Sequence, residues 1–199
     1  MSSSPQPVTE LLGDLARGLH ALGVRWFLFG AQAAILHGAA RLSADVDITV
    51  DLGTRSSREL VEALSRQGFA LRVTDAEGFV EATRVIPLVH LASRMPLDVV
   101  LAGPGLEERF FARVTEHRVG DLLVPVVSAE DLVAMKILAG RPRDMEDVAS
   151  IVRARRDLDV TSVRDTLRLL ERALDRGDLV VELDRVVAAA KTRSVDPNG

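Results

Sequence analysis

The sequence has no cysteine and no tyrosine, and aromatic residues make up only 4% of it. Without cysteine the chain forms no disulfide, offers no thiolate to a metal and has no cysteine nucleophile. So few aromatics give poor support for a stacking platform for single-stranded bases. Lysine is scarce too. Lys136 and Lys191 are the only two, and arginine supplies the remaining positive charge. No apolar run approaches the about 18 residues of a membrane span. Met1 to Pro7 is polar and lacks the basic-plus-apolar pattern of a signal peptide. The expectation is a cytoplasmic, soluble protein with no membrane partner. A formal net charge of -4 excludes a polycation built to coat nucleic acid.

What is present is enough apolar residue, 47% of 199, for a packed core. Leu11, Leu12, Leu15, Leu19 and Leu22 form one helical stripe in Val8 to Leu22. Short apolar runs predict strands at 24–29, 46–50, 69–73, 85–91, 97–101 and 122–126, with Pro125 suggesting an edge position for the last. Helices are expected at 31–37, 54–66 and 106–113. From Ser128 the character changes. Ser128 to Asp131 reads as a helix start with an acid at the third helical position, and Gly140 and Pro142 interrupt the helical pattern that follows. Further helices are expected at 144–153, 161–174 and 178–190. The expected architecture is α+β: a mixed sheet flanked by helices over 1–127, a helical region packed on it over 128–191, and a flexible tail over 192–199.

The chemistry points to the segment FGAQAAILHGAARLSADVDITV. Asp45 and Asp47 stand two apart at the start of an apolar strand. Strand alternation puts them on one face, about 6.5–7 Å apart, with Val46 pointing into a core. Two like charges so placed repel each other, which is hard to justify as packing but suits divalent cations held between them. Asp98 lies within another apolar strand, PLDVVLAG, and from an adjacent strand it would complete a two-metal clamp for phosphoryl transfer. Either feature alone has a bland alternative: D-x-D is common, and Asp98 alone reads as a strand-end carboxylate. Asp51 precedes Gly53 and reads as a turn residue. Upstream, a strand ends at Gly30 and a helix begins, offering backbone N–H groups to a triphosphate.

With these residues in order, the chain resembles the nucleotidyltransferase superfamily related to DNA polymerase beta. More narrowly, it resembles the AbiEii/AbiGii-type toxin nucleotidyltransferases. The resemblance covers roughly residues 8 to 155. It rests on Gly30, His37-Gly38, Arg41, Ser43 and Asp45-Val46-Asp47, and then on SAEDLVAMKILAGRPRDMEDV with Lys136, Arg141, Arg143, Asp144 and Asp147. The superfamily places serine or glycine after the first glycine, where this chain has Ala31, so a phosphate contact there would come from backbone N–H alone.

The resemblance implies an enzyme that moves an NMP from an NTP to an acceptor hydroxyl with Mg²⁺, two ions, held by Asp45, Asp47 and Asp98. Asp98 would also help deprotonate the acceptor. Lys136 would act as a phosphate-binding point charge, with Gly30, Ala31, Arg41, Ser43 and Asp144 contacting substrate. The bland readings stand beside these. Lys136 is otherwise a solvated helix lysine, Asp144 a helix cap after Pro142 and Arg41 a surface arginine. Asp147 reads as an exposed helix acid and His37 as a hydrogen-bonded core histidine. His90 and His117 have no evident partner. Arg153, Arg155 and Arg156 read as a helix-end cluster ahead of an RNA contact. The acceptor expected from the toxin resemblance is RNA, a tRNA end included, with a cognate antitoxin as protein partner. The alternatives are a small molecule of the antibiotic type, a protein side chain, or a non-catalytic nucleotide- or partner-binding module.

Overall fold

The computed structural model describes residues 6–103 and 105–192. These form two compact units, one of 6–32 with 43–103 and 105–127, and the other of 33–42 with 128–192. The boundary at 127/128 is where the sequence changes character, but the short segment 33–42 groups with the C-terminal helices.

The first unit is built on a seven-stranded mixed sheet. Its strands are β1 (Arg25–Phe29), β2 (Val46–Asp51), β3 (Phe69–Leu71), β4 (Val85–His90), β5 (Pro96–Leu101), β6 (Thr115–Val119) and β7 (Leu122–Val126), in the order β3-β4-β5-β2-β1-β7-β6. β2 runs antiparallel to β1 and parallel to β5, which puts it at the centre of the sheet. Val46, Ile48 and Val50 alternate onto the buried face with Leu97 and Val99 of β5 and Ile86 and Leu88 of β4. This period-2 burial fixes the register, because a one-residue slip would put every one of these side chains on the opposite face.

Five helices begin in this unit: α1 (Gln6–Leu22), α2 (Gly30–Leu36), α3 (Ser57–Ser65), α4 (Ala76–Thr83) and α5 (Leu106–Phe111). α1 buries Leu11, Leu12, Leu15 and Leu19. α3 starts later than the sequence pattern suggests, because Ser56 and Glu59 form a reciprocal capping box there. α5 sets Phe111 edge-on to Phe27 of β1, centroids 4.8 Å apart. α4 and β6 carry weak patterns and are not foreseen. β6 is polar along most of its length and takes its place from pairing with β7.

One sequence expectation is corrected here. Pro125 does not mark an edge, because β7 lies between β1 and β6. The bridge to β1 is confined to Leu28 opposite Val126. The missing proline N–H therefore falls outside that short ladder.

The second unit holds α6 (Ala129–Ala139), α7 (Pro142–Ala154), α8 (Val160–Leu174) and α9 (Leu179–Thr192). Ser128 caps α6 by accepting from the Asp131 N–H. Gly140 ends it in the left-handed region at φ 66°, and Pro142 opens α7. Val133, Ile137, Val148, Ile151, Val163 and Leu167 are all buried. Thr192 still belongs to α9, and the rest of the expected tail lies outside the described residues. Among the described residues, no helix is long and apolar enough to cross a membrane.

Candidate active site

The first unit brings the three carboxylates to one end of the central strands. Asp47 stands in β2 directly opposite Asp98 of the parallel neighbour β5. Register partners lie about 4.8 Å apart in the hydrogen-bonding direction and share a face. Asp45 immediately precedes β2 and is exposed. The segment entering the strand is pinned from both sides. Gln32, buried on α2, donates to the Ser43 carbonyl at 3.0 Å. The Asp45 N–H donates to Ser43 Oγ at 3.3 Å. Gln32 is a supporting residue that sequence reasoning missed; its only signal is a polar residue on an otherwise apolar short helix.

Gly30 is required here for two reasons. Its φ is 67°, where L residues are strained. A Cβ would also come within 2.8 Å of Asp47 Cγ and run into its Oδ2. The close approach of β1's end to the carboxylate therefore depends on a missing side chain, since Phe29 is the register partner of Asp47. Farther along β2, Asp51 ends the strand and accepts from Arg25 and from the Gly53 N–H at 2.9 Å. The Arg25 guanidinium first, and the Gly53 N–H second, hold the Asp51 carboxyl below its usual range. Asp51 thus belongs to a turn and an ion pair.

Three carboxylates, hard oxygen donors without histidine or cysteine among them, suit a divalent cation such as Mg²⁺. The placement of Asp47 beside Asp98 fits that use. Their rotamers, however, form no closed cage. Among the described residues, no three His, Cys, Asp or Glu side chains are grouped so that they could hold a metal ion. Asp98 Oδ1 is engaged instead by Arg72 Nη2.

In the second unit, Lys136 is 6% exposed, so the solvated reading does not hold. Its Nζ donates to Asp144 Oδ1 at 3.0 Å and to Asp147 Oδ2 at 2.7 Å. Asp147, expected to be exposed, is buried, because the same oxygen also accepts from Arg41 Nη1 at 2.7 Å. Nor does Asp144 cap α7. It sits within the first turn behind Arg141, with its side chain committed to Lys136. Asp144 Oδ2 is buried without a hydrogen bond. Arg141 Nε lies 3.3 Å away, close enough for an ion pair but not aligned to donate. His37 is buried, with Arg155 Nη1 3.3 Å from its Nδ1. His90 has partners that the sequence did not disclose: Ser93 Oγ and Asp14 Oδ2, each at 2.8 Å. Burial pushes its pKa down.

The mixed sheet flanked by helices has the architecture of nucleotidyltransferase folds, and comparison with known proteins gives the family. Residues 14–195 match the family described as the nucleotidyl transferase AbiEii toxin of a type IV toxin–antitoxin system. The chain therefore belongs to that family and is a nucleotidyltransferase. Family membership implies a nucleotide substrate, an antitoxin partner and the divalent metal that such enzymes generally use.

Solved structures share the fold. An antigenic nucleotidyltransferase-like protein from Paracoccidioides brasiliensis has a TM-score of 0.53 at 18% identity, covering 92% of this chain and 94% of that one. The lincosamide antibiotic adenylyltransferase LnuA, lincomycin-bound, has a TM-score of 0.51 at 15% identity, covering 76% and 98%. ANT(2")-Ia in complex with adenylyl-2"-tobramycin has a TM-score of 0.51 at 16% identity, covering 96% and 100%. No curated protein matches the chain by sequence.

Proposed function

We propose that this protein transfers an NMP from an NTP to a hydroxyl of RNA, with Mg²⁺, as the toxin of a toxin–antitoxin pair. The observation that carries the reading is the in-register pair Asp47 and Asp98 beside the side-chain-free Gly30. Asp45, Asp47 and Asp98 would hold two ions. Bound there, the cations neutralise phosphate charge and orient the triphosphate. Gly30 and Ala31 offer backbone only, so a phosphate can approach closely, and Ser43 stands at the strand entrance. Asp98 accepts the proton of the acceptor hydroxyl. That oxygen then attacks the α-phosphorus in line, a new P–O bond forms, and the bond to pyrophosphate breaks. Such catalysis is positioning plus charge neutralisation.

In the second unit, Lys136 is a cation held at a fixed place by Asp144 and Asp147. It serves as a phosphate-binding point charge with Arg41 beside it on the same carboxylate. RNA is the acceptor we infer from a toxin role; the family description itself names none. A cavity of this unit lined by Arg153, Arg155 and Arg156 adds a local basic surface to a chain of net charge -4. RNA binding by such a patch is directed at the backbone and steeply salt-dependent.

The test is incubation with Mg²⁺, each labelled NTP in turn, and total RNA, total protein or an aminoglycoside and lincosamide panel. Label entering RNA is the expected result. Label entering only protein or an antibiotic overturns the RNA assignment, and no label in any pool overturns the enzymatic reading of this chain.

A further inference from the structure

Arg72 makes an ion pair with Asp98, the carboxylate in register with Asp47. It follows β3, two strands away from Asp98 in the sheet order β3-β4-β5. Three bonds lay it across the intervening strand. Its backbone N–H donates to the Pro87 carbonyl at 3.0 Å. Nε donates to the Leu88 carbonyl at 2.9 Å. Nη2 donates to Asp98 Oδ1. Pro87 is itself the register partner of Asp98, so the guanidinium is delivered to the carboxylate by the pairing of β4 with β5. A planar fork with separate donors can hold a backbone carbonyl and a carboxylate together, which a lysine ammonium on a flexible stem does poorly.

We propose that Arg72 is a positioning residue that holds Asp98 until the divalent ion takes it. In the resting arrangement the guanidinium neutralises Asp98 and fixes its rotamer beside Asp47. A divalent ion held by Asp98 would compete with Nη2 for that carboxylate, while the Leu88 carbonyl keeps Nε anchored nearby. Arg72 thereby sets a threshold concentration for metal binding and limits the repulsion among Asp45, Asp47 and Asp98 in the metal-free enzyme. This inference rests on the metal-binding reading of those three carboxylates.

The test uses the full chain without nucleotide and reads Mn²⁺ affinity directly, by calorimetry and by electron paramagnetic resonance of free Mn²⁺. Arg72→Ala removes both the competitor and the cation–cation repulsion, so Mn²⁺ should bind roughly fivefold to tenfold tighter. Arg72→Gln can retain a bond to the Leu88 carbonyl, and it should tighten binding equally if the alanine variant folds poorly. Arg72→Lys keeps the charge without the fork and should fall between wild type and alanine. In an Asp98→Asn background the Arg72→Ala effect should shrink at least severalfold. In turnover, Arg72→Ala should need less Mg²⁺ for half-maximal rate.

Unchanged or weaker Mn²⁺ affinity in both Arg72→Ala and Arg72→Gln, with wild type binding normally, overturns the role of Arg72 alone. Wild-type protein that binds no Mn²⁺ overturns the metal-site reading and this inference with it.

Discussion

Lys136→Met tests whether the buried ion cluster of the second unit is held together by its single ammonium. Methionine matches lysine in helix propensity and roughly in length, so the change isolates the charge. Lys136 and Asp147 are 7% and 5% exposed at the side chain, and Asp144 is 14% exposed. Removing the cation leaves Asp147 with Arg41 at 2.7 Å, so that carboxylate remains compensated. Asp144 keeps only Arg141, whose side chain is 79% exposed, a contact worth about 0–1 kcal/mol. Breaking a buried pair by removing one partner costs about 3–5 kcal/mol. In a chain of this size that lowers Tm by about 6–20 °C, at 2–4 °C per kcal/mol. Urea unfolding should show a lower midpoint with an unchanged m value. A second change, Asp144→Leu in the Lys136→Met background, should recover at least half of the loss, since replacing a whole buried network with apolar residues is often neutral. The variant should also bind NTP more weakly when measured well below its unfolding temperature. Stability of Lys136→Met within about 0.5 kcal/mol of wild type, the range of an ordinary surface change, would refute the reasoning.

Other outcomes follow from the same geometry. Gly30→Ala forces a non-glycine residue to φ 67° and pushes a Cβ into Asp47. It should cost about 1–2 kcal/mol from the backbone alone and weaken Mn²⁺ binding; normal Tm and normal binding together would show that Gly30 is not a required opening. Asp45→Asn and Asp47→Asn should each lose divalent binding and nucleotide transfer while keeping or raising thermal stability, because like-charge repulsion is relieved. Near wild-type transfer by either variant would remove that residue from the site. His90 has a folded pKa pushed below its usual 6.5 by burial, so the unfolded chain binds the extra proton first as pH falls. Its contribution to stability is present above pH 6.5 and is lost as pH falls below it. The stability gap between wild type and His90→Gln should therefore narrow from pH 8 to pH 5, and a gap independent of pH would refute this linkage.

The sequence by itself determined the local elements whose periodicity is strong. The leucine stripe of α1, the alternating β2 and the capped start of α6 are written in adjacent residues, and their hydrophobic period dictates which side faces the core. The D-x-D spacing likewise predicts Asp45 and Asp47 on one face, because side-chain alternation along a strand is a local property, but β2 begins only at Val46, so Asp45 lies just outside the strand. Tertiary structure decided everything that depends on which strand lies beside which. The parallel pairing of β2 with β5 sets Asp98 opposite Asp47, and no sequence separation encodes that register. Pro125 suggested an edge, yet β6, a polar strand with little pattern of its own, closes the sheet outside it.

The same holds for charges. Asp147 looks like a solvated helix acid in sequence, since its burial comes from Lys136, eleven residues earlier, and from Arg41, 106 residues earlier. Arg72 carries no motif at all. It reaches Asp98 only because β3 and β4 pair antiparallel and bring the chain after Leu71 alongside Pro87 and Leu88. Periodicity records which face a residue occupies. Ion pairs between distant segments are fixed by sheet order and helix packing, which arise from burial summed over the whole unit and leave no mark at any single position.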